Sequence, residues 1–162
     1  MRRGVVQVIA AAVVLGAIGL ISVAVQQPVL VPSLASAAFL QILLPDQSTA
    51  KPWSIGVGQL IGAACGFACV HLVGAVGAPS FMGDHPLMLV RVLAVALAVG
   101  ATMAIQLAFK ATSAAGGTLA LFLALGTETP DLAGIVRTLA GVALATGIGE
   151  VARRIVLAIE AG

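Results

Sequence analysis

Lys110, Thr112, Ser113, Gly116, Gly117 and Thr118 cluster at the head of an otherwise apolar run that continues to Leu125. A helix leaves its first four N–H groups without intrahelical partners, and its dipole favours negative charge at that end. Glycine removes the Cβ that would hold a ligand away, and hydroxyls add donors. A helix start of this kind can hold a small anion, with Lys110 contributing charge. Ser33 and Ser36 open a second apolar run in a similar way. The same residue types also suit plain helix capping and close helix packing, and a lysine at a membrane edge suits snorkelling to the interface.

Little else in the chain suggests chemistry. No paired carboxylates share a segment, no nucleophile stands with a histidine and an acid, and no phosphate-binding loop of the usual form occurs. The chain is therefore not expected to be an enzyme, and no cofactor or metal is expected. Cys65 and Cys69 share a helix face, but His71 lies about 200° round the helix from Cys69 and cannot join them. The thiols read as small apolar groups, with no disulfide implied. Gln41, Gln59 and Gln106 read as buried hydrogen-bonding residues, either across helices or along a wet path. Arg91 is expected to pair near Asp84, Arg137 near Glu128 and Asp131, and Glu150 with Arg153 and Arg154.

The elements that must position these groups belong in a bilayer. Of 162 residues 60% are hydrophobic and 9% charged, with a mean hydropathy of +1.16. Charged residues make up about a quarter of a typical soluble chain, so this one has lipid as its solvent. A formal net charge of +2 is too small and too scattered for a nucleic-acid partner. The basic start and apolar run of "MRRGVVQVIAAAVVLGAIGLISVAV" read as a membrane helix, because the run exceeds the 7–15 apolar residues of a signal peptide.

Six apolar segments emerge, at about 4–25, 28–45, 55–78, 87–109, 111–126 and 132–157. "QQP", "PDQSTAKPWS", "APSFMGDHP" and "GTETPD" mark turns between them. The expected fold is an all-α polytopic membrane protein, one membrane domain over 1–162. Its second and fifth segments are short and either cross or re-enter. "SLASAAFLQI" (33–42) lies over "TSAAGGTLAL" (112–121), and "QLIGAACGFACVH" (59–71) over "TLAGVALATGIGE" (138–150), both at an offset of 79. Two three-segment repeats follow, at about 4–78 and 87–157, a transporter plan. With six crossings, Arg2, Arg3, Lys51, Lys110, Arg153 and Arg154 share one side, which makes both termini cytoplasmic and the halves inverted. Re-entrant short segments leave four crossings and place Lys51 outside. The bacterial inner membrane is the expected location.

Segments 35–66 and 112–124 resemble the HPP family of small integral membrane proteins. That family has a Gly-Ala-Ser-like opening to a short apolar run ending in Pro, a polar linker, and a Gly-Gly-His-Leu-like helix start. Ala35 to Pro45, Lys51-Pro52 and Val57-Gly58-Gln59-Leu60 take those places here. The later His-Pro-Pro-Ala-Gly-Ala-Thr signature falls on Thr112 to Thr118, with Thr112-Ser113-Ala114 in place of His-Pro-Pro and Ala115, Gly116 and Thr118 retained. The resemblance implies four membrane spans and, for some members, nitrite transport.

The reading is thus a membrane transporter or channel for a small inorganic anion such as nitrite. Its site comprises Ser33, Ser36, Lys110, Thr112, Ser113, Gly116, Gly117 and Thr118. Alternatives are a non-transporting membrane subunit or scaffold and a carrier of small organic acids. Small-residue stripes at Gly58, Gly62 and Gly66, and at Gly141, Ala145 and Gly149, suit tight helix contact. With the small size of the chain they suggest a homo-oligomer.

Overall fold

The computed structural model describes residues 2–24, 32–81 and 85–161. Among the described residues six helices follow one another: α1 (Arg2–Ala24), α2 (Pro32–Leu43), α3 (Pro52–Leu72), α4 (Leu89–Ala108), α5 (Ala114–Leu125) and α6 (Leu132–Ala161), with a 3-10 turn at Ser48–Ala50 before α3. Four of them, α1, α3, α4 and α6, are long and apolar enough to cross a membrane. The other two have 12 residues each, about 18 Å at 1.5 Å per residue, and fall short of roughly 30 Å of hydrocarbon. The chain is an all-α polytopic membrane protein.

Local chemistry sets the ends. Pro52 stands in the first turn of α3 after an extended Lys51, where its missing N–H costs nothing. The helix stops at Leu72, although the apolar segment continues to about 78. Gly74 takes a left-handed backbone (φ +71), and Ala75 N–H returns to Val70 C=O at 2.8 Å, which closes the helix. Gly126 (φ +89) ends α5 in the same way, with Thr127 N–H on Phe122 C=O. Asp131 Oδ1 accepts the Gly134 N–H at 2.7 Å and the Thr129 hydroxyl at 3.0 Å, and so caps the start of α6.

Contacts fix the directions. Gly58, Gly62 and Gly66 of α3 meet, in turn, Ser113 and Gly116, Gly116 again, and Ala120 and Leu123 of α5, so the two helices run parallel. The α3 stripe is thus occupied within the chain: a Cβ at Gly62 would collide with the Gly116 carbonyl. Gly56 of α3 lies beside Thr146 of α6, while Leu60–Phe67 share a groove with Ile135 and Leu139, so α3 and α6 run antiparallel. Gln41 of α2 lies against Gly149 of α6, and Pro45 C=O accepts from Arg153 at 3.0 Å, so α2 and α6 run parallel. Gln7 of α1 donates to Ile42 C=O at the end of α2. Gln106, near the end of α4, bonds both Gly58 and Ser113.

The main helix contacts are α3 with α5, α4 and α6; α6 with α2 and α1; α2 with α5 and α1; and α4 with α5. Exchanging α1 with α4, α2 with α5 and α3 with α6 turns this set into itself. The short helices α2 and α5 begin and end 82 residues apart, three more than the offset of the letter match.

One charged pair lies at the start of α6 and another within its C-terminal half, level with the end of α2. Arg137 meets Glu128 at 3.0 Å, and Glu150 meets Arg153 and Arg154, each at 2.7 Å, as the spacing predicts. Arg91 differs. Its guanidinium donates to the carbonyls of Ala78, Pro79 and Ala124, tying the turn after α3 to the last turn of α5, where a cation suits exposed carbonyls. Asp84 lies outside the described residues.

Candidate functional site

The two short helices start close together, deep in the bundle. Ser113, which precedes α5, lies beside Gly58, six residues into α3 and about 9 Å from its start. Gln41 lies opposite Gly149 on the parallel α6, so α2 starts about 13 Å back along α6 from that level. Since α6 runs antiparallel to α3, with Thr146 at Gly56, this places the start of α2 near Gly62. From the level of Gly58 to Gly62, α5 runs one way and α2 the other. Ala37 of α2, Ile55 of α3 and Ala115 of α5 pack together there, all with no exposed surface. Discontinuous helices whose N-termini meet near the midplane are a recurring transporter device.

The start of α5 is held by its neighbours. A tight turn brings the chain from α4 into α5, with Lys110 in a left-handed backbone (φ +51). The side chain of Gln106 is used twice: Nε2 donates to Gly58 C=O at 3.0 Å, and Oε1 accepts Ser113 N–H at 3.0 Å. Gly116 and Gly117 N–H both turn back to Ser113 C=O, at 3.2 and 3.4 Å. Thr118 Oγ1 donates to Ala114 C=O at 3.0 Å. The Ser113 hydroxyl has no partner among the described residues, although Ser113 is 2% exposed.

Four of the residues singled out by sequence, Thr112, Ser113, Gly117 and Thr118, line one groove of about 500 Å³ with Ala114 and with Val99, Met103 and Gln106 of α4. Of the other four, Gly116, Lys110 and Ser36 are not part of that lining. Gly116 faces α3, and a Cβ there would meet the Gly58 carbonyl and the Gln106 amide, so its smallness serves the approach of two helices. Gly117 is the glycine that leaves space open. Lys110 is exposed and outside the groove lining. Ser36 is half-buried in α2, and the side chain of Ser33 falls outside the described residues.

Further buried polar groups lie on α2, α3 and α6. Gln41 and Gln59 have no exposed surface and Thr138 is 1% exposed. Their side-chain N and O atoms, and the Thr146 hydroxyl, find no hydrogen-bond partner among the described residues. Burying such a group unpaired costs about 1–3 kcal/mol. Both glutamines stand out as polar letters in apolar runs. Thr138 and Thr146 have no spacing signal in the sequence, since threonine is common in membrane helices.

A family model described as "HPP, transmembrane region" matches residues 1–158. No curated protein and no solved structure gives a significant match.

Proposed function

The chain belongs to the HPP transmembrane-region family, and from that premise we propose that it passes a small inorganic anion through the bilayer, nitrite being the first to test. The observation that carries this reading is the Ser113 hydroxyl. It is buried and without a partner among the described residues at the recessed start of α5, in a groove that also holds Thr112 and Thr118. A helix start directs N–H groups and positive potential at what lies before it. The start of α2 lies near the same level, so two such ends act on one region. Ser113 and Thr112 supply donors, Gly117 leaves room, and Lys110 raises the local anion concentration from the nearby surface. The exchange symmetry of the helix contacts supports the reading of two inverted halves around this point.

Orientation follows from charge. The starts of α1 and α3 and the end of α6 lie at one end of the bundle, with Lys51, Arg153 and Arg154. A basic end of this kind suits the cytoplasmic side. A homo-oligomer is proposed on chain size alone, because the glycine stripe of α3 is taken up by α5 of the same chain.

Uptake into proteoliposomes tests the function. Nitrite, nitrate, formate and chloride are compared with empty liposomes; the reading expects at least one of them, nitrite first, to enter at least ten times faster. If all four match the empty control, transport of small anions is wrong. A cysteine at Lys51 tests topology, and labelling from the outside of intact cells rejects the orientation.

A further inference from the structure

We propose that Gln41, Gln59, Thr138 and Thr146 line an uncharged, hydrated route along α6 that passes the level of Ser113 and takes a small anion by hydrogen bonding alone. This deepens the anion reading and rests on it for the identity of the occupant.

The placement of Gln59 carries the argument. Successive residues of a helix turn by about 100°. On α3, Gly58, Gly62 and Gly66 define the edge that meets α5, and Gly56 with the Leu60–Phe67 groove defines the edge that meets α6. Gln59 falls between these edges and so projects into the crevice between α5 and α6. One turn before it, Ile55 packs with Ala37 of α2 and Ala115 of α5. One turn after it, Ala63 packs with Ala38, Leu119, Val142 and Ala145. Gln59 therefore stands where four helices converge, near the level at which both short helices start. Thr138, Val142, Ala145 and Gly149 form one buried face of α6, and Thr146 borders that face opposite Gly56. Gln41 presses on the same face at Gly149.

Taken together, two carboxamides and two hydroxyls are enclosed and find no partner among the described residues, and lipid offers none. An apolar core does not select for this arrangement, but water and a hydrogen-bonding solute satisfy every atom of it. The lining carries no charge. Amide and hydroxyl donors bind the oxygens of a monovalent anion without the grip of an arginine, and conduction needs binding weak enough to release.

The test is cysteine accessibility in the full-length protein in liposomes, after Cys65→Ala and Cys69→Ala remove the native thiols. Thr138→Cys, Thr146→Cys and Gln59→Cys are treated with a small, membrane-impermeant, charged thiol reagent, with Leu97→Cys on the outer face of α4 as the lipid-facing control. The route predicts labelling of Thr146→Cys and Gln59→Cys at least tenfold faster than Leu97→Cys, slowed several-fold by saturating nitrite. Equal, slow labelling at all four positions overturns the route. Fast labelling that nitrite leaves unchanged keeps the route and overturns the anion as its occupant. Gln59→Leu supplies a second readout. The route expects an unchanged or higher melting temperature with nitrite uptake reduced at least tenfold, whereas a lower melting temperature with unchanged uptake overturns it.

Discussion

Gln106 and Gln59 are the same residue in two apolar helices, both buried, 3% and 0% exposed, and they do opposite things. Gln106 spends its amide on two backbone groups, Gly58 C=O and Ser113 N–H, and so binds α3, α4 and the start of α5 into one unit. Gln59, one residue beyond Gly58, bonds nothing among the described residues. On one side of α3 the glycines bring backbones together and the Gln106 amide is matched at both ends, while the Ser113 hydroxyl beside it finds no partner among the described residues. On the side that turns toward α6 the polar groups are left over. A buried polar side chain is structural when its partners are present, and a candidate for ligand contact when they are absent.

Substitutions can break that contrast, and their effects are expected to fall in a definite order. Gly62→Val drives a side chain into the Gly116 carbonyl and should cost about 3 kcal/mol by overpacking, read as a fall in the melting temperature of the protein in detergent. Gln106→Leu leaves the buried Ser113 N–H without a partner and removes the link to Gly58 C=O, and should cost about 2 kcal/mol, read in the same assay. Gln59→Leu removes an unmatched amide and should change stability by about 1 kcal/mol or less, in the favourable direction. If Gln106→Leu and Gln59→Leu destabilise equally, the distinction between the two glutamines fails.

The smallest effect belongs to Asp131, at the exposed start of α6. The N–H of Gly134, and then the Thr129 hydroxyl, hold its carboxyl below its ordinary value of 3.8. A carboxyl depressed in the folded state adds stability at neutral pH, and that contribution is lost as the pH falls below about 4. Melting curves of the wild type and Asp131→Asn should differ slightly at pH 7 and converge toward pH 3. A constant difference across that range rejects the capping role.

Much of the fold was legible in the sequence because apolar length and Pro/Gly punctuation act locally. All six segments correspond to helices, and the main error, α3 continuing to about 78, came from missing the left-handed turn at Gly74. The start of α5 was legible too, since hydroxyls and glycines at the head of an apolar run are unusual. What each glycine does was not. Gly116 and Gly117 are neighbours, yet one touches α3 and the other lines a groove, a difference set by which helix lies alongside. The acceptors of Arg91 were hidden for the same reason: the backbone carbonyls of Ala78, Pro79 and Ala124 are announced by no side-chain pattern, and its expected partner Asp84 lies outside the described residues. Thr138 and Thr146 became visible only when their surroundings showed no partner.

Nitrite uptake by Ser113→Ala, relative to the wild type in matched proteoliposomes, tests the central claim most directly, because this substitution removes one unpartnered hydroxyl and little else. The account predicts uptake reduced at least fivefold with the melting temperature unchanged. Uptake equal to the wild type would contradict it, and the start of α5 would then be only a packed helix end.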